Sequence, residues 1–291
     1  MTEKLRRMST VLPIALLLAA MASVQMGASI AKTLFPVVGP VGMVAVRIAL
    51  GTIVLCMLMR PWRARITAAN WRPLAVYGIT LGVMNLFYYL SLSRVPLGIA
   101  VAIEFTGPLA VAVLSSRRLL DFCWILLAAA GLLLLLPVTH VGVGIDPLGG
   151  LYALAAGACW ALYIIYGQKA GADHGTQTVA IGSLISALIV IPIGLLDRGP
   201  ALFSSSILLP GLAVGILSTA LPYTLEMYVL TRLPARTFGI LMSIEPAFGA
   251  LIGFVYLHEW LTAIQWTAIA LVIVASIGAT ASARQTIPIG A

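Results

Sequence analysis

Apolar runs of about 20 residues recur along almost the whole 291-residue chain, separated by short polar or basic connections. The runs are continuous, without the every-other-residue alternation of a membrane strand, and each can cross roughly 30 Å of hydrocarbon as a helix. They predict ten helices with cores near 11–31, 37–59, 73–91, 97–114, 122–138, 148–167, 176–196, 207–229, 237–257 and 263–282. The expected fold class is an all-α membrane protein. The first run follows a basic tail, as a signal peptide does. It has no clean small-residue cleavage site and nine more runs follow, so it reads as a retained span.

The second half of the pattern repeats the first. Arg94 and Pro96 match Arg232 and Pro234, Pro108 matches Pro246, and Asp121 matches Glu259, each pair 138 residues apart. Scarce residue types matching four times in register predict two halves, 1–140 and 141–291, of five spans each. An odd span number makes the second half enter the membrane from the opposite side, which predicts inverted repeats with a site between them near the midplane. The join falls in the Gly-rich loop Thr139–Pro147, a linker without a domain of its own.

Composition sharpens this picture. Hydrophobic residues make up 61% of the chain, charged ones 9%, and the mean hydropathy is +1.08. About half apolar is usual for a soluble domain. The net charge of +8 could suggest a nucleic-acid partner, but its distribution excludes one. Thirteen basic residues fall in connections on one side: Lys4, Arg6, Arg7, Arg60, Arg63, Arg65, Arg72, Arg117, Arg118, Lys169, Arg232, Arg236 and Arg284. Three fall on the other, Lys32, Arg94 and Arg198. The positive-inside rule then places both termini in the cytoplasm. Cys56, Cys123 and Cys159 have no ligand spacing, and His140, His174 and His258 lie in separate connections. Neither a metal, a cofactor nor a catalytic triad is expected, so the chain does not read as an enzyme.

The candidate chemistry lies inside the spans. Arg47 sits about midway through the second span, Glu104 about seven residues into the fourth and Glu245 about eight into the ninth. At 1.5 Å per residue both carboxylates lie roughly 10–12 Å deep. On the repeat offset Glu104 corresponds to Met242, one turn from Glu245. Each ionisable group at bilayer centre costs about 2.5–3.5 kcal/mol on insertion scales, so the three should face each other or a wet cavity. Either a structural Arg–Glu pair or the handling of substrate and protons would satisfy that demand. Glu226 lies nearer the cytoplasmic end of the eighth span, either in the cavity or at the surface near Arg232 or Arg236. Gln25, Asn85, Tyr88, Tyr89, Trp160, Tyr163, Tyr166 and Tyr223 are further polar groups in spans, about half of them expected to line a cavity; the others would join helices or, like Tyr166, anchor at the membrane interface. Pro108, Pro222 and Pro246 remove backbone donors within spans, predicting kinks and free carbonyls beside a polar cavity.

Several stretches carry a family likeness: VPLGIAVAIEFTGPLAVAVLSSRR at Val95–Arg118, GACW at Gly157–Trp160, TVAIGS at Thr178–Ser183, LSTALPYTLE at Leu217–Glu226 and TRLPARTFGILMSIEP at Thr231–Pro246. With these the chain resembles the bacterial inner-membrane threonine/homoserine exporters within the drug/metabolite transporter superfamily, the ten-span EamA type. The resemblance implies ten helices around a central cavity, and export of L-threonine and L-homoserine driven by the proton gradient. Its substrate-and-proton residues would be Arg47, Glu104, Glu245 and Glu226. Cargo varies among such relatives, so purines or amphiphilic drugs stay open as substrates. A membrane-embedded enzyme is the rival outside transport. Oligomeric state is not set by the sequence.

Overall fold

The computed structural model describes residues 2–64, 66–67, 70–114, 119–135, 145–199, 202, 204–230 and 241–282, with side chains described at 12–64, 66–67, 70–111, 122–134, 145–199, 202, 204–226, 228–229 and 241–278. Among them every regular element is helical. In order these are α1 (Thr2–Met59), a 3₁₀ turn (Pro61–Arg63), α2 (Trp71–Leu92), α3 (Leu97–Glu104), α4 (Thr106–Leu114), α5 (Leu119–Leu135), α6 (Pro147–His174) and α7 (Gln177–Arg198). Then follow α8 (Ser205–Gly215), a π-helical turn (Ile216–Ala220), α9 (Leu221–Leu230), α10 (Glu245–Leu257) and α11 (Ala263–Ser282). Most of the Thr139–Pro147 linker, and Arg232 and Arg236, lie outside the described residues.

Five segments are long and apolar enough to cross a membrane: Leu12–Met59, Trp71–Leu92, Pro147–His174, Gln177–Arg198 and Ser205–Glu226. Leu97–Val111, Phe122–Leu134, Glu245–Leu257 and Ala263–Gly278 are shorter apolar helices. Large apolar side chains such as Leu188, Leu196, Val255 and Leu126 stand exposed, as a lipid-facing surface requires.

α1 is two arms. Gly39 leaves the helical region at φ 68°, a conformation cheap only for glycine, between Pro36 and Pro40. Ser23 donates to the Leu217 carbonyl and Arg47 to the Ser218 carbonyl, so residues 24 apart meet neighbours in sequence. A straight helix would hold them about 36 Å apart, and the arms therefore fold back at Gly39. The sequence puts this turn at 32–36; it falls later because Lys32 and Thr33 continue the helix to the only residue that tolerates the bend.

The first arm of α1 and its second arm pack on α7, α8, the π-turn, α9 and α10, while α2 lies against α6 and α7. α3 packs on α10 and α6, and α5 on α11. α6 starts at Asp146, whose side chain caps the Leu148 amide and pairs with Arg94 at 2.8 Å. The Arg94 hydrogen bond, with that of Leu148, holds the Asp146 carboxyl below the usual carboxylate range.

The expected proline kinks are displaced. The fourth span breaks at Phe105, ahead of Pro108; the eighth widens at Ile216–Ala220, ahead of Pro222; and a turn at Ser243–Ile244 precedes Pro246. Each proline stands in the first turn of the next helix, where its missing N–H costs nothing. The breaks at Phe105 and Ser243 are 138 residues apart, the offset of the sequence repeat.

Candidate functional site

The prolines shape a cavity through the carbonyls they leave free. Pro222 has no amide to give the Ser218 carbonyl four residues earlier, Pro108 none for Glu104 and Pro246 none for Met242. All three of these i−4 residues line one cavity, of about 90 Å³ open to water-sized molecules. Its wall also holds Arg47 from the second arm of α1, Gln25 from the first, Glu226 from α9 and Glu245 from the start of α10. Asn85 and Tyr88 from α2, Trp160 and Tyr163 from α6, and Tyr223 complete the polar lining. The four candidate charges and seven of the candidate polar side chains, Tyr89 among them, are thus brought together from both halves of the sequence, while Tyr166 is not in the lining.

Arg47 is the most heavily engaged. Its Nη1 donates to the Ser218 carbonyl at 3.0 Å and to the Ser218 hydroxyl at 3.1 Å, and its Nη2 donates to Asn85 Oδ1. Asn85 is held in turn by donating from Nδ2 to the Leu81 carbonyl at 2.7 Å. The guanidinium lies 4.7 Å from the centre of the Tyr89 ring, a cation–π contact. Arg47 is only 3% exposed, and its Nε has no partner among the described residues. No described carboxylate lies within ion-pair distance of it, so the structural Arg–Glu pair is not what this arrangement contains.

The carboxylates are poised differently. Gln25 Nε2 donates to Glu245 Oε1 at 3.0 Å, and Tyr88 donates to Gln25 Oε1 at 3.5 Å. Glu245 Oε2 is buried without a partner among the described residues. Glu104, 7% exposed like Glu245, ends α3 where the helix breaks. α6 supports it closely: a methyl group on Gly157 would lie 2.6 Å from the Glu104 carbonyl oxygen. Trp160, one turn on, meets Phe105 edge to face with ring centres 5.4 Å apart. Glu226 joins the lining on the side of Tyr163, whose ring stacks on Tyr77 with their hydroxyls 3.2 Å apart.

Behind Arg47 a smaller crevice is lined by Ser183, Ser186 and Thr219, whose buried hydroxyls have no partner among the described residues. Sequence reasoning did not single these out, nor Ser218. The signal available for Ser218 was its place four residues before an in-span proline.

A membrane-crossing helical protein with buried opposite charges around a small internal cavity has the architecture of a transporter. Comparison with known proteins agrees. The profile of the EamA-like transporter family matches residues 147–281. The chain is 56% identical to "Threonine/homoserine exporter RhtA" of Escherichia coli (strain K12), over 98% of this chain and 97% of that one. It is 55% identical to the protein of the same name from Salmonella typhimurium (strain LT2), over 96% and 95%. "Uncharacterized transporter YwfM" of Bacillus subtilis (strain 168) is 28% identical over 79% and 81%. A solved crystal structure superimposes with a TM-score of 0.64 at 22% identity, over 93% of this chain and 98% of the other, a likeness of fold alone.

The chain belongs to the EamA-like transporter family. It is a multi-pass membrane transporter and not an enzyme.

Proposed function

We propose that this protein exports L-threonine and L-homoserine across a bacterial inner membrane in exchange for protons. The substrate pair is the one named for the relatives at 55–56% identity over nearly the full length of both chains. The proposed architecture is ten spans in two inverted halves, 1–140 and 141–291, with both termini cytoplasmic. Supporting the count, the two arms of α1, α2, α6, α7 and α8–α9 supply six crossings, and the four shorter apolar segments supply the rest. Supporting the inversion, helix breaks and prolines recur at the 138-residue offset, and the basic residues favour one side.

One observation carries the mechanism: Arg47 Nε and Glu245 Oε2 are both buried, both without a partner among the described residues, and both on residues that line one cavity. Unmet buried polar atoms cost about 1–3 kcal/mol each, so a ligand that satisfies both gains on entry. A zwitterionic amino acid has the matching charges. Its carboxylate meets the Arg47 guanidinium, which Ser218, Asn85 and Tyr89 hold in place. Its ammonium meets Glu245 or Glu104, with the freed carbonyls of Glu104 and Met242 as further acceptors. Glu226 passes the proton between this pair and water. Rocking of the halves then turns the site outward, where protons displace the substrate.

The test is transport by purified protein in liposomes loaded with radiolabelled threonine or homoserine, with an imposed pH gradient. Exit of both, faster with acid outside and lost in R47M and E245Q, is the expected result. Exit that ignores the gradient would remove the proton from the scheme, and no exit of either amino acid would remove the cargo.

A further inference from the structure

We propose that the ion pair Lys32–Glu259, with the backbone between Val95 and Leu97, is the outer gate of this cavity. The inference rests on the transport reading and adds the part that closes the cavity to the outside. Lys32 Nζ lies 2.6 Å from Glu259 Oε1 and donates to the Val95 carbonyl at 2.8 Å. The other carboxylate oxygen, Oε2, accepts from the Leu97 amide at 2.7 Å. Glu259 thereby caps the start of α3, and its own amide donates to the Gly253 carbonyl at the end of α10. One ion pair ties three separate parts of the chain: the first arm of α1, the connection from α2 to α3, and the connection from α10 to α11.

The same three parts carry the cavity. Lys32 lies seven residues beyond Gln25 on the first arm, and Leu97 seven residues before Glu104 on α3. Both intervals correspond to about 10 Å along a helix, toward the end assigned to the outside. α10 runs from Glu245, in the cavity, to the loop that holds Glu259. The latch therefore sits about two turns outside the substrate groups on the first arm and on α3, and beyond the far end of α10. It is partly shielded, with side chains 22% and 15% exposed, over a plug of Val95 and Leu97 that is almost fully buried. Nothing in the binding of a zwitterion uses Lys32 or Glu259. Their geometry does something else: when the first arm and α10 part, every one of these bonds breaks together, and the two-turn passage to Gln25 and Glu245 opens. Shielded pairs with additional hydrogen bonds suit a two-state contact of this kind, because losing one partner leaves the other unmet.

The experiment is accessibility of a cavity cysteine from outside. A28C is built in the full-length protein with Cys56, Cys123 and Cys159 replaced by serine; Ala28 lines the cavity between Gln25 and Lys32. Right-side-out vesicles are treated with a membrane-impermeant maleimide. K32M and E259Q should each raise the labelling rate about tenfold, as a shift of a coupled equilibrium does. The double variant K32M/E259Q should label no faster than either alone, since each already opens the latch. Unchanged labelling in the single variants, or effects that add in the double one, would overturn the gate. A second arm needs no opened variant: K32C/E259C, joined by a reducible thiol cross-linker, should stop labelling at A28C and regain it on reduction. Labelling that continues in the cross-linked protein would also overturn it. Because labelling is read without substrate, a failed gate and a wrong cargo give separate results.

Discussion

Arg47 concentrates the residue-scale argument. Two of its nitrogens are used for positioning by Ser218 and Asn85, and the third is buried without a partner among the described residues. R47M should reduce threonine export by at least about thirtyfold, since truncating one side of a buried charge contact costs roughly 2–5 kcal/mol. N85A should retain export but weaken it, raising KM more than it lowers the maximal rate, as expected of a residue that orients the guanidinium. Equal activity of R47M and parent in the liposome assay would mean the charge has no part in transport. Q25L releases Glu245 Oε1 and should likewise raise KM; unchanged KM would show that Gln25 does not position the carboxylate. Much at this scale was legible beforehand, because charge inside a 61% hydrophobic chain is conspicuous. Ser218, Ser183, Ser186 and Thr219 were not. Single hydroxyls in spans are common packing groups, and only the fold shows which of them surround a guanidinium.

Elements show where helices had to be interrupted to expose backbone. Pro222 withholds the amide that Ser218 would otherwise bond, and Arg47 takes the carbonyl instead. P222A restores a donor at that position, so it should lower export by about tenfold, the worth of one hydrogen bond, while leaving the amount of folded protein unchanged. Export at the parental rate would separate the proline from the site. G157A drives a methyl against the Glu104 carbonyl and should cost about 1–3 kcal/mol of stability, read as a lowered melting temperature in detergent. An unchanged temperature would mean that α3 and α6 approach less closely than described. Prolines in the sequence marked these regions correctly but not the form of the break. Each stands just inside a new helix, since a residue without an N–H fits a first turn better than a helix middle. The Gly39 turn was misplaced for a related reason: apolar pattern locates a span to within a few residues, whereas a positive φ fixes one residue.

For the whole molecule, the arrangement answers why a membrane protein would bury Arg47, Glu104 and Glu245, with Glu226 half-buried beside them, in the lining of so small a space. Gathered from α1, α3, α9 and α10, they are costly apart and useful together. The 138-residue offset, read from four residue pairs, sets Glu104 of α3 against Met242, one turn before Glu245, and all three residues line the one cavity. What composition could not supply was cargo, which came from resemblance and then from named relatives. The closing claim is therefore that the shared hollow binds a zwitterion by both its charges at once. Isothermal titration of the purified protein with threonine, its amide and its decarboxylated amine tests this directly. The account predicts that threonine binds, and that losing the carboxylate or its charge weakens binding at least about tenfold in the parent but not in R47M. Equal affinity of the parent for all three would contradict it.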